Sequence, residues 1–292
     1  MKLSTIDTGN FKLDGGAMFG VIPKVMWQKL NPADEHNLVS WALRCLLVEE
    51  GDRKILIDTG VGNKQDEKFF SHYYLHGSET LTSSLAAKGI APEAITDVIH
   101  THLHFDHCGG SVIRKDNQLV PAFPNAKYWT NPQHWQWAIE PNERERASFL
   151  KENLLPLQTA GQLFFLEVPE PDMHPIGRLA SIPFSEHISL RIVHGHTRAM
   201  MLPQIKIGNQ TVVYMADLIP SVHHIGLPYI MAYDLFPYTT LQEKKCFLQE
   251  AVEENYWLFF EHDINTECCN LQLTDKGIRK NQTGKLIECL NG

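Results

Sequence analysis

The segment Thr101-His102-Leu103-His104-Phe105-Asp106-His107-Cys108-Gly109-Gly110 sets three imidazoles and a carboxylate within six residues. Neutral imidazole nitrogen and carboxylate oxygen are donors for zinc and related first-row ions. His102 and His104 can point one way from a strand end, and Asp106 and His107, after a turn, toward a second position beside it. Gly109-Gly110 lets the backbone leave this crowded stretch. Shared between two positions, these four donors complete neither tetrahedral site, so further ligands are expected from the second half of the chain. His196, Asp217 and His262 each follow an apolar strand-like run there. Alone, His196 or His262 would be an ordinary surface or core histidine and Asp217 a turn residue. Their shared place at strand ends, where α/β sheets assemble sites, turns them into a set.

The elements that must position these residues repeat one grammar. Arg44–Val48 leads through Glu50-Gly51-Asp52 into Lys54–Asp58, a hairpin. A helix follows from about Ser78, read as its N-cap, with Leu81 and Leu85 on one face and Gly89 as its stop. The run 95–100 is a short buried strand ending at His100. In the second half, Ile188–Val193 is a strand, and Ile205–Ile207 turns at Gly208-Asn209 into Thr211–Met215. A helix over 241–255 then precedes a last strand, Trp257–Phe260. Hairpins alternating with helices predict an α/β fold, two packed sheets with helices outside, a four-layer αβ/βα sandwich. The stretch Pro169 to Pro183 reads as a loop walling a pocket, and 1–292 reads as one domain.

Composition removes several function classes. The chain has 292 residues, 43% hydrophobic and 21% charged, which excludes disordered and fibrous proteins. A net charge of -8 without a basic stripe argues against a nucleic-acid partner. The mixed run Glu143-Arg144-Glu145-Arg146 reads as the wet face of a helix. No apolar run has membrane-spanning length, and the start lacks the core of a secretion signal, so the expectation is a cytoplasmic protein with no membrane partner. Six cysteines without CxxC spacing fit a reducing compartment, the vicinal Cys268-Cys269 being unpaired thiols near a late turn.

The segment THLHFDHCGG, followed by His196, Asp217 and His262, resembles the metallo-β-lactamase superfamily over most of the chain. That resemblance implies two divalent metal ions, zinc foremost with cobalt, manganese or iron as alternatives. By it, His102, His104 and His196 bind one ion, and Asp106, His107 and His262 the other. Asp217 bridges both, and Asp58 orients a ligand histidine from behind. The stretch 14–24 with Trp27, the stretch 215–220 and the stretch 228–234 are similar to bacterial quorum-quenching N-acyl homoserine lactonases. Some of those enzymes carry a tyrosine three residues after the bridging aspartate, where this chain has Pro220. The proton-donor role then passes to Tyr229 or Tyr233, to His223 or His224, or to none of them.

The implied chemistry is hydrolysis of a lactone by a water held between the ions, with its pKa lowered toward neutrality. Asp106 is a candidate for proton handling as well as metal binding. Met18, Phe19, Trp27, Tyr229, Met231 and Phe236 are candidates for an apolar substrate slot, core packing being the alternative. A homodimer is implied by the lactonase resemblance. A phosphotriesterase could use the same site. A non-catalytic metal-binding or sensor module is the reading from another class, and it sits poorly with seven filled ligand positions.

Overall fold

In a computed structural model, which describes residues 1–291, the chain divides into two compact units. The first comprises Met1–Asn10 and Leu43–Val168; the second comprises Phe11–Ala42 and the chain from Pro169 onward. The proline-rich stretch after 168 therefore belongs to the second unit, and within it Ser181–Pro183 is a short strand.

The first unit is built on a sheet in the order Lys2–Asp14, Leu38–Glu50, Arg53–Ile57, Asp97–Ile99, Lys127–Thr130, Leu163–Phe165. Leu38–Glu50 and Arg53–Ile57 form the expected hairpin, with Leu46 opposite Ile57 and Val48 opposite Ile55. From Arg53–Ile57 onward the strands pair in parallel, and parallel neighbours need crossover segments. The helices Leu81–Ala87, Pro132–Ile139 and Lys151–Thr159 lie in those crossovers. Leu85 and Leu157 pack with Leu47, Leu56, Val98 and Tyr128 in one buried cluster. Each such side chain contributes about 1.5–3 kcal/mol by leaving water.

Two local expectations shift. The helix Leu81–Ala87 is capped by Thr80, not Ser78: Thr80 Oγ1 accepts from Ser83 N at 3.1 Å, and Ser83 Oγ accepts from Thr80 N at 2.8 Å. This capping box leaves Ser78 outside, its hydroxyl donating to Glu79. The run Glu143–Arg146 is a turn instead of a helix face, and Glu145 is 3% exposed.

The second unit holds a sheet in the order Gly277–Gly284, Cys268–Thr274, Trp257–Phe259, Gln210–Tyr214, Met200–Ile207, Ile188–Val193, Ser181–Pro183. Ile188–Val193 has the expected bounds. Gln210–Tyr214 and Trp257–Phe259 pair in parallel, and the helix Pro237–Glu253 crosses between them. It starts four residues earlier than 241, because Pro237 at its first position has φ already set for a helix. Thr240, Lys244, Phe247, Leu248 and Ala251 form its buried face at helical spacing. Cys268 and Cys269 begin a strand and are buried free thiols, so the late turn expected there is absent. Each unit is α/β. Among the described residues no helix is long and apolar enough to cross a membrane.

Candidate metal centre

In the first unit the candidate donors sit just past the carboxyl ends of parallel strands. Asp58 follows Arg53–Ile57, and the histidine segment follows Asp97–Ile99. The short helix Phe105–Cys108 turns the segment immediately after His104. Gly109 permits this fold-back, since a Cβ there would stand 2.1 Å from the Val61 carbonyl oxygen.

Asp58 is fully buried and organises the segment. Its Oδ1 accepts from Thr101 N at 2.7 Å, and its Oδ2 accepts from Thr101 Oγ1 at 2.7 Å and faces His107 Nδ1 at 3.1 Å. A carboxylate only accepts, so His107 carries its proton on Nδ1 and leaves Nε2 as a lone pair. Thr101 has one hydroxyl proton, directed at Asp58, so its oxygen accepts from His102 Nδ1 at 3.1 Å. The His102 lone pair is thereby on Nε2, which lies 3.1 Å from His104 Nδ1. His107 Nε2 lies 3.7 Å from Asp106 Oδ2. Leu103 N donates to His134 Nε2 at 2.8 Å and fixes the chain between the first two imidazoles.

The second unit gathers His196, Asp217 and His262 by the same means. His262 Nδ1 donates to the Ala42 carbonyl at 2.8 Å, and His196 Nδ1 donates to Asp234 Oδ1 at 2.8 Å. Both therefore present Nε2. His196 Nε2 lies 3.1 Å from Asp217 Oδ2, and His262 Nε2 lies 3.2 Å from Asp217 Oδ1. Burial disfavours charge on His196, but Asp217 and Asp234 outweigh it and push its pKa up to about 10. Glu243 accepts from His194 N and Gly195 N, fixing the turn into His196. Gly195 is required there, as a Cβ would meet Thr240 N at 2.4 Å.

Buried imidazole nitrogens gathered against one another and against carboxylate oxygens suit a cation of the zinc type, and these His/Asp clusters can bind a metal. Residues 44–262 match the family model of the metallo-beta-lactamase superfamily. The chain belongs to that superfamily. Its fold and the α/β class are those expected from sequence. Within the metallo-β-lactamase superfamily, the chain is similar to an N-acyl homoserine lactonase from Bacillus cereus, 28% identical over 137 residues. That match covers 44% of this chain and spans about half, 48%, of the relative. A probable metal-dependent hydrolase from Staphylococcus aureus superposes with a TM-score of 0.84 at 26% identity, over 97% of this chain and 95% of the other. AidC, a dizinc quorum-quenching lactonase in complex with a product, gives 0.76 at 20% identity over 97% and 95%, a likeness of fold.

The candidate slot residues divide between interior and partly exposed positions. Met18, Phe19, Trp27 and Met231 are interior residues, 1%, 0%, 1% and 4% exposed, and they do not line an open slot. Phe19 stacks between Trp27 at 5.3 Å and His224 at 4.7 Å, while Gly15 leaves room for the Trp27 ring. Apolar side chains that face water in this stretch include Val21, Val25 and Met26. Phe236 and Tyr229 are half-buried and Tyr233 is exposed.

His224 is also structural. Its Nε2 donates to the Met18 carbonyl at 2.9 Å, so Nδ1 accepts from Ser221 Oγ at 2.7 Å, and neither nitrogen is left for a substrate. His223 is half-buried, and burial lowers its pKa. Sequence reasoning missed four residues of these networks: His134, Glu145, Asp234 and Lys244. Asp234 lies within the quoted 228–234 stretch, which was its available signal. Lys244 is fully buried and donates to the carbonyls of Gly226 and Tyr229 at 3.0 and 2.7 Å, tethering the tyrosine loop.

Burial lowers the pKa of His224 to about 3 and of His100 to about 4. In the unfolded chain both take protons near 6.5. Between about pH 6.5 and 4 the unfolded state therefore binds more protons, and stability falls as pH falls. Each group contributes on the order of 2 kcal/mol per 1.5 pH units in that window. Urea unfolding at pH 7 and pH 5 checks this; equal midpoints would show that neither imidazole is held neutral.

Proposed function

We propose that this chain is a dinuclear metal-dependent hydrolase that opens lactone rings. The observation carrying the reading is that His102, His107, His196 and His262 each have the proton fixed on Nδ1 by an acceptor, leaving Nε2 for a cation. In this reading His102, His104 and His196 would hold one ion and Asp106, His107 and His262 the other, with Asp217 shared between them. Asp217's two oxygens already face two different imidazoles, which supports a bridging role.

Two divalent ions in such a site supply Lewis acidity and lower the pKa of a coordinated water. The chain's own part is orientation. Asp58 holds two imidazoles in one tautomer, Asp234 and the Ala42 carbonyl hold two more, and Lys244 fixes the loop bearing Tyr229. Asp106 adds a carboxylate that can hold a proton beside His107. Tyr229 and Tyr233 keep accessible surface and remain the proton-donor candidates, whereas the saturated ring of His224 removes it from that role. Zinc fits the nitrogen and oxygen donors. Buried free thiols support a reducing, cytoplasmic setting. A small ester or lactone as partner, a quorum-quenching role and a homodimer belong to the same reading through the likeness to lactonases.

The test is proton release in a weakly buffered indicator assay on zinc-loaded and chelator-stripped protein. The panel holds short- and long-chain N-acyl homoserine lactones, simple γ- and δ-lactones, and paraoxon. Zinc-dependent turnover of lactones well above paraoxon is expected. Paraoxon turnover alone would move the assignment to a phosphotriesterase. Metal binding without turnover of any ester would favour a sensor module.

A further inference from the structure

The turn over residues 142–148 brings a carboxylate to His104. Glu145 is 3% exposed although its sequence neighbours Glu143, Arg144 and Arg146 are in solvent. Its backbone N donates to Asn142 Oδ1 at 3.2 Å, and Phe105 N donates to the Ser148 carbonyl at 2.9 Å, which pins the turn to the histidine segment. Glu145 Oε2 accepts from Trp137 Nε1 and from Asn142 Nδ2, both at 2.7 Å. These donors hold one oxygen of the carboxylate and orient the other. Oε1 lies 3.5 Å from His104 Nε2, and Phe149 packs against the same imidazole at 4.7 Å. Since His104 directs Nδ1 at His102, the Nε2 edge is the rear of the ring.

We propose that Glu145 is a positioning residue for His104, holding its proton on Nε2 so that Nδ1 is the metal-facing lone pair. The inference rests on the metal reading above. Positive charge near a buried carboxylate offsets the cost of its burial. A cation on the far side of the imidazole provides that charge through the ring, as in carboxylate–histidine–metal arrangements.

The arrangement distinguishes tautomer control from simple packing. Glu145→Gln keeps shape and can still accept from Trp137 and Asn142 through its oxygen. Its amide nitrogen then donates toward His104 Nε2, which drives the imidazole proton onto Nδ1, the face needed for metal. Glu145→Ala leaves a cavity but imposes no wrong tautomer. Zinc affinity is measured by competition with a chromogenic chelator, beside thermal unfolding of the stripped proteins.

Glu145→Gln is expected to weaken zinc binding about 10- to 100-fold, with a stripped-state Tm at or above wild type. Glu145→Ala is expected to lose less affinity and more Tm. Affinity that follows Tm in both variants, or wild-type affinity in Glu145→Gln, overturns the positioning role. Wild-type protein that fails to bind zinc instead sinks the metal reading on which the role depends.

Discussion

Asp217→Ala is expected to lose bound metal and hydrolytic turnover together, by on the order of 1,000-fold or more, since even an outer partner of a ligand is worth 10- to 100-fold. Its two oxygens face His196 Nε2 and His262 Nε2 at 3.1 and 3.2 Å, so one truncation strips the shared acceptor from both. The stripped protein gives a second reading. With His196 raised to about 10, the ion pair is fully present below about pH 6.5. Its contribution is lost as pH rises toward 10, because the folded state then gives up a proton that the unfolded state has already released. Stripped wild type should lose stability across that window, and Asp217→Ala should lose much less. Metal analysis, turnover and unfolding at pH 7 and 9.5 together check this. Full activity with two metals bound would remove Asp217 from the ligand set.

The residues proposed to face the metals were legible in sequence for a physical reason. Donors packed as His102, His104, Asp106 and His107 need no knowledge of long-range contacts, and His196, Asp217 and His262 are marked by the apolar strands before them. Hairpin pairing was legible through the apolar runs on either side of Glu50-Gly51-Asp52, which pair with Leu46 opposite Ile57. Glu145 was not legible, because a mixed-sign run reads as solvated. Its burial depends on Trp137, eight residues away, and on a turn fixed by Asn142 and Ser148.

The sequence left Met18, Phe19 and Trp27 open between slot and core for a related reason. They fall on two helices of five and four residues, too short for a period to declare an inner face. Stacking with His224, some two hundred residues away, decides their orientation. Local chemistry therefore survives in the sequence, whereas the partners that tune it are set by tertiary packing.

Asp58→Asn should be nearly as damaging to metal binding as losing a ligand, although Asp58 is not among the proposed ligands. Its two oxygens take three contacts, from Thr101 N, Thr101 Oγ1 and His107 Nδ1. In the asparagine variant Oδ1 can still accept from Thr101 N, so the backbone is held. The amide nitrogen then occupies the Oδ2 position and donates where a carboxylate accepted. Thr101 Oγ1 must accept from it and turn its own proton toward His102 Nδ1, moving the His102 proton onto Nε2. His107 Nδ1 must likewise accept, which moves its proton onto Nε2 as well. One isosteric change thus blocks two lone pairs, one in each proposed half of the centre. With 10- to 100-fold for each misplaced partner, zinc affinity should fall by about 1,000-fold. Chelator competition on stripped protein, with circular dichroism to verify the fold, measures this. A folded Asp58→Asn protein with wild-type affinity would show that the imidazoles choose their tautomers without Asp58.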